Sequence, residues 1–246
     1  MIGILDEIKS KTSQLFGFGQ ADWVYHNAAH FEKSNYESVD TGKLQWYRFL
    51  LLTPTIMMTY NSVQTNEPIW FFYYLTHWGV NVSGFSLIAT MIAAKKHSWQ
   101  TTAMISTQCA TALNLLIMAL FWIILAPYIF PNLGWSGHDL YMRWHMITLH
   151  LIPFLQTTFN TMLTDMELVE KDWTMMIPMG CLYMFANGLG KLDCGVPIYP
   201  VLDWVNPAFT VVGWTLVAFI MSCFYYYWAV GVRKWRAHKF GVQSRL

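Results

Sequence analysis

Polar and titratable side chains inside long apolar runs are the residues of this sequence best placed to do chemistry, because each is costly at membrane depth unless paired. The run from Ile69 to Ala94 carries Thr76, His77 and Asn81, and the run from Leu140 to Leu163 carries His145, Thr148 and His150. A threonine hydroxyl beside an imidazole is the smallest unit of nucleophile and general base. If both runs are helices entering from the same face, Thr76 lies about 10 Å in and His145 about 8 Å in, at 1.5 Å of rise per residue. Neighbouring helices would then let the two meet. Thr148, three residues on, shares the His145 face of the helix, whereas His150, five residues on, points elsewhere. The structural alternative is that Thr76 bonds back to its own helix while His145 bonds a neighbouring one.

Other candidate sites are weaker. Asp22, His26 and His30 are spaced so that one helix face could hold a metal or a proton, or could simply be a polar partner-facing surface. Cys109, Cys181, Cys194 and Cys223 form no CxxC pair and read as small packing residues. P-loop, GxSxG, HExxH and GxGxxG motifs are absent from the sequence. No metal and no other cofactor is called for.

The elements that must position these residues follow from composition. Of 246 residues, 55% are hydrophobic and only 12% charged, against about a quarter charged in soluble domains. Fifteen basic and fourteen acidic residues are too few to coat a soluble globule of this size, and a net charge of +1 excludes a broad nucleic-acid footprint. The fold class expected is all-α, a polytopic membrane bundle of six helices, with apolar runs over 46–60, 69–94, 99–126, 140–163, 173–190 and 206–232. Placing both termini on one side gathers there every basic residue except Arg143 and Lys191, which makes that side the cytoplasmic or matrix-like one. Arg143 is placed to pair with Asp139 one helical turn earlier.

Residues 1–45 form a polar N-terminal segment that fits neither a signal nor a transit peptide, with Ile2, Ile4, Leu5 and Ile8 able to line a short interfacial helix. The transmembrane domain covers 46–232, and 233–246 is a basic tail. Tyr227 and Trp228, beside Lys234, Arg236 and Lys239, are candidate contacts for anionic lipid headgroups. Gly188 and Gly190 would permit close helix approach or helix termination. Pro54 and Pro178 read as mid-span prolines.

Trp70-Phe-Phe-Tyr-Tyr-Leu-Thr76-His-Trp-Gly79 resembles the second-span signature of the androgen-induced-gene (FAR-17a-like) family and the related rolling-stone family. Val196-Pro-Ile-Tyr-Pro-Val-Leu-Asp-Trp204 resembles their tail signature, and His145 to Phe154 resembles their His-containing fourth span. The androgen-induced-gene resemblance implies a six-span protein that hydrolyses fatty-acid esters of hydroxy fatty acids with an embedded Thr and His. Thr76 falls on the family Thr. Aligning Ile152-Pro153-Phe154 with the family's Leu-Pro-Phe puts His145 on the first of two family histidines and Thr148 on the second, catalytic one, while His150 reaches that place only through a gap.

Two functions follow from different features. A polar N-terminal segment and a chain rich in aromatic residues and methionine suit an accessory subunit of a larger membrane complex, reusing a hydrolase-like fold without chemistry, with lipids and other membrane subunits as partners. The mitochondrial inner membrane is the expected location, ahead of endoplasmic reticulum or plasma membrane. The alternative is an intramembrane ester hydrolase with Thr76 as nucleophile and His145 as base, His150 being the weaker substitute. A transporter fits less well, since no acidic residue lies inside a span.

Overall fold

The computed structural model describes residues 29–65, 72–199 and 204–241. They are mostly helical, and each apolar run of the sequence holds one long helix: α1 (Thr41–Thr65), α2 (Leu75–Ala93), α3 (Gln100–Leu120), α4 (Gly137–Leu163), α5 (Met176–Cys194) and α6 (Pro207–Phe240). Local chemistry sets their ends. Asp40 precedes α1 and accepts the Lys43 backbone N–H at 2.9 Å, a hydrogen bond that holds its carboxyl below the usual range. Asn206 accepts the Phe209 N–H at the start of α6. Gly195 and Gly241, with φ of 71° and 63°, stop α5 and α6 in left-handed backbone. Termination of α5 thus belongs to Gly195, while a Cβ on Gly190 would run into Tyr73. Pro153 lies within α4, as Pro54 does within α1. Pro178 instead falls in the first turn of α5, where a missing N–H costs little.

Helix α2 is central, packing on α1, α3 and α4, while α6 lies against α3 and α5. Two glycines set the closest approaches. A Cβ on Gly79 would lie 2.4 Å from Asn114 Oδ1 of α3, and one on Gly180 would lie 2.5 Å from the Ala218 Cβ of α6. Asn114 uses the space by donating to Ser83 Oγ of α2 at 2.7 Å.

The end of the bundle that carries most basic side chains is closed by a device absent from the sequence reading. Strand β1 (Ala29–Ser34) pairs antiparallel with β2 (Thr164–Met166), with an irregularity between His30 and Ser34. Ala29 and Phe31 are fully buried, so the chain from Ala29 belongs to the body of the protein and not to a separate segment ending at 45. The interfacial helix expected over Ile2–Ile8 lies outside the described residues, as do Asp22 and His26. His30 sits in a strand, 3.8 Å from Glu32, not on the helix face a metal reading needs. Beneath this sheet Arg48 is wholly buried. It donates to Asn160 Oδ1 at 3.1 Å, the Phe31 carbonyl at 2.8 Å and Thr164 Oγ1 at 2.8 Å, tying α1, α4, β1 and the first residue of β2 together.

Two stretches, His97–Asn132 and Pro207–Phe240, are long and apolar enough to cross a membrane. The remaining long helices fall short of that test because polar side chains interrupt them, as Asp139, Arg143, His145 and His150 do in α4. On α6 the residues Phe209, Val212, Leu216 and Phe219 form an exposed apolar stripe, opposite the buried Trp214, Ala218, Met221 and Tyr225.

Candidate functional site

The chemistry-bearing residues converge where the start of α2 meets the middle of α4. Because α2 begins at Leu75, after a turn at Phe72–Tyr73, Thr76 occupies its first turn. That first turn lies beside the middle of α4, level with a residue deeper than His145. His150 lies about 20 Å along α4 from Gly137, and His145 about 12 Å. The Thr76 hydroxyl lies 3.1 Å from His150 Nε2. His145 is a different contact: its Nδ1 lies 3.1 Å from Asn61 Nδ2 of α1, its ring stacks on Tyr141, and Asn61 also donates to the Tyr141 hydroxyl at 2.6 Å. The assignment of His145 as the partner of Thr76 is thereby corrected to His150. Depth counted from the two helix starts misses this contact, because the first turn of α2 lies beside the middle of α4 and not beside its start. Thr148 is half-buried away from this contact.

The second nitrogen of His150 fixes its role. Nδ1 lies 2.6 Å from the Met146 carbonyl, one turn back on α4. A carbonyl only accepts, so Nδ1 carries the proton and Nε2 is left to accept from Thr76. The ring also stacks on Phe121, centroid to centroid 3.8 Å at 10°. Phe121 opens a π-helical turn, Phe121–Leu125, that interrupts the continuation of α3. The wider turn brings Phe121 inside while Ile123 and Ile124 face outward, 74% and 54% exposed. Neither Phe121 nor the π turn was singled out by sequence. An aromatic within an apolar run carries no mark of the ring it will touch.

The backbone beside Thr76 is poised as well. Leu75 N–H donates to the Tyr199 hydroxyl at 3.1 Å, and His77 N–H reaches the Tyr74 carbonyl. The Thr76 N–H has no acceptor among the described residues, as expected of a first-turn amide. The Tyr199 hydroxyl, enclosed by the chain, is pushed up to about 12 by burial. Next to Leu75 a cavity of about 20 Å³, walled by Trp78, Leu113, Tyr183, Trp214 and Met221, has room for about one water.

The lipid-headgroup candidates separate. Lys234, Lys239 and Tyr227 are exposed. Trp228 turns inward and meets the Phe154 ring edge-on at 5.4 Å. Arg236 is a correction: it is 4% exposed, bonded to Asp165 Oδ1 at 2.6 Å and to the Met166 carbonyl. Its charge is already matched within the fold. The expected Asp139–Arg143 pair is also corrected. Asp139 accepts the Gly134 N–H instead, and Arg143 turns to three carbonyls of the preceding loop. Among the described residues no cluster of His, Cys, Asp and Glu could hold a metal.

Compared with protein-family models, curated proteins and solved structures, the chain matches none.

Proposed function

We propose that this chain is a membrane-embedded hydrolase of fatty-acid esters, with Thr76 as nucleophile and His150 as general base. One observation carries the reading. The residue that the FAR-17a-like signature marks as the nucleophile has an imidazole nitrogen at 3.1 Å, and the other nitrogen of that ring is held in the required tautomer by Met146. In the reaction, Thr76 Oγ1 attacks the ester carbonyl as its proton passes to His150 Nε2. The tetrahedral intermediate collapses to an acyl-threonine, and His150 returns the proton to the departing alcohol. Water, deprotonated by the same nitrogen, then adds to the acyl group and releases fatty acid and free Thr76. The Thr76 N–H, without an acceptor among the described residues and at the positive end of the α2 dipole, would donate to the developing oxyanion.

All six long helices cross the bilayer in this reading, with the two termini on the basic side. Four of them need the others, since their polar residues are tolerable in lipid only when they face the bundle. Outward-facing Ile123 and Ile124, on the turn that places Phe121 against His150, give an acyl chain a lateral approach from the lipid. Purified protein should release fatty acid from a long-chain ester, and Thr76→Ala should remove that release. Unchanged turnover in Thr76→Ala eliminates the nucleophile.

A second reading is favoured by the dry packing here. His150 lies flat on Phe121, and the apolar cavity beside Leu75, about 20 Å³, is far too small for an acyl chain. That suits an accessory subunit of a membrane complex, such as one of the mitochondrial inner membrane, in which the Thr–His contact only ties α2 to α4. On native gels in mild detergent such a subunit runs far above its own mass, whereas a free monomer speaks against it.

A further inference from the structure

Arg143 has no ion-pair partner among the described residues, the nearest carboxylate on its own helix turn, Asp139, being taken up by the Gly134 N–H. Arg143 is 9% exposed. Its Nε donates to the Gly134 carbonyl at 2.8 Å, and Nη2 to the carbonyls of Phe130, at 2.6 Å, and Leu133. All three acceptors are neutral. No carboxylate stands within ion-pair distance among the described residues, since the four ion pairs found there involve other cations. Among the described residues Nη1 has no hydrogen-bond partner, yet it is not sealed from the surface. The guanidinium is flanked by Trp135, with its ring centroid 4.2 Å away, and by Phe130 at 5.5 Å. Trp135 is itself 75% exposed. An arginine locked by three carbonyls, with one nitrogen still open beside an exposed indole, is pre-organised toward a ligand that only accepts hydrogen bonds. A negatively charged ligand would also cancel its charge.

We infer that Arg143 Nη1 binds the oxyanion, phosphate or carboxylate, of a lipid headgroup at the end of the bundle opposite the basic cluster. The level is right: Arg143 is about 9 Å along α4 from Gly137, within reach of a headgroup layer, and an exposed Trp marks such a layer. The same stripe of α4 leads inward, because His150 is seven residues further on, two turns and about 10 Å away. A lipid held at Arg143 therefore has its chains running toward Thr76. The inference rests on the bilayer reading of the bundle but not on hydrolysis. Arg233 and Arg236 differ in that carboxylates already hold them, at 2.7 and 2.6 Å.

The test uses the unmodified full chain in maltoside micelles, which offer no oxyanion. Phenylglyoxal modification of each arginine is followed by peptide mass spectrometry with no addition, with inorganic phosphate, and with phosphatidylglycerol. Phosphatidylglycerol should slow modification of Arg143 about fivefold, the effect of roughly 1 kcal/mol from one basic residue at a lipid surface, and leave Arg233 and Arg236 unchanged. Equal slowing by the same concentration of phosphate overturns the lipid assignment in favour of a free anion. Equal rates in all three conditions overturn the site itself, and if Arg143 does not react, because carbonyls hold its Nη2, native mass spectrometry decides. Native mass spectrometry adds a second readout, with phosphatidylglycerol adducts falling about fivefold in Arg143→Gln but not in Lys43→Gln, whose ammonium already pairs with Asp40.

Discussion

Along α4, His150 and Asn160 each anchor a buried polar cluster, and the two differ in what they can release. At His150 a hydroxyl proton faces a free ring nitrogen, so the bond can be broken and remade without leaving a charge stranded. At Asn160 the cation Arg48 is fixed by acceptors from Phe31, Asn160 and Thr164. Its charge cannot leave, and each acceptor would lose its donor if it did. The first cluster joins a hydroxyl to an imidazole nitrogen that can take its proton, and the second holds four elements in register. Burial alone does not separate function from structure here. What separates them is whether the hydrogen bond joins groups of exchangeable protonation.

Mutations should split along that line. Thr76→Ala and His150→Ala are each expected to lower ester hydrolysis by about 10³-fold or more. Unfolding of the Thr76 variant should stay within about 1 kcal/mol of the parent, because only one hydrogen bond is lost. Arg48→Met should do the reverse, costing about 1–3 kcal/mol in denaturant unfolding for each buried acceptor left without its donor, and leaving turnover per folded molecule unchanged. An activity loss with intact stability in Arg48→Met would erase the distinction. Gly180→Ala tests packing away from both clusters. Its new methyl meets Ala218, and about 1–3 kcal/mol of destabilisation should follow.

The smallest effect concerns pH. Tyr199 ionises near 10 when unfolded and at about 12 when folded. Its contribution to stability is therefore complete below pH 10 and is lost as pH rises from 10 toward 12. Thermal unfolding in that window should be less pH-dependent in Tyr199→Phe than in the parent.

Helix existence was legible in the sequence because apolar runs and charged stops are set by composition. Boundaries were not: Trp70 to Tyr74 are as apolar as the helix that follows, and nothing in their type says that α2 starts only at Leu75. Equal depth from the two helix starts points to His145, whereas the first turn of α2 lies beside the middle of α4, so Thr76 meets His150, five residues on, and His145 meets Asn61. The Arg48 cluster and the β1–β2 pairing were invisible for another reason. Asn160 and Thr164 lie more than a hundred residues from Arg48, as β2 does from β1, and the nearer acceptor, Phe31, offers a backbone carbonyl, which has no residue signature. Ala29-His-Phe31 does alternate buried and half-buried positions, a two-residue period that could have flagged the strand.

The account turns on which histidine serves Thr76. Purified protein in lipid nanodiscs, treated with an activated fatty-acyl ester, should gain one acyl group that maps to Thr76. Labelling should vanish in His150→Ala and persist within about tenfold in His145→Ala. Acylation that survives loss of His150, or that depends on His145 instead, contradicts it.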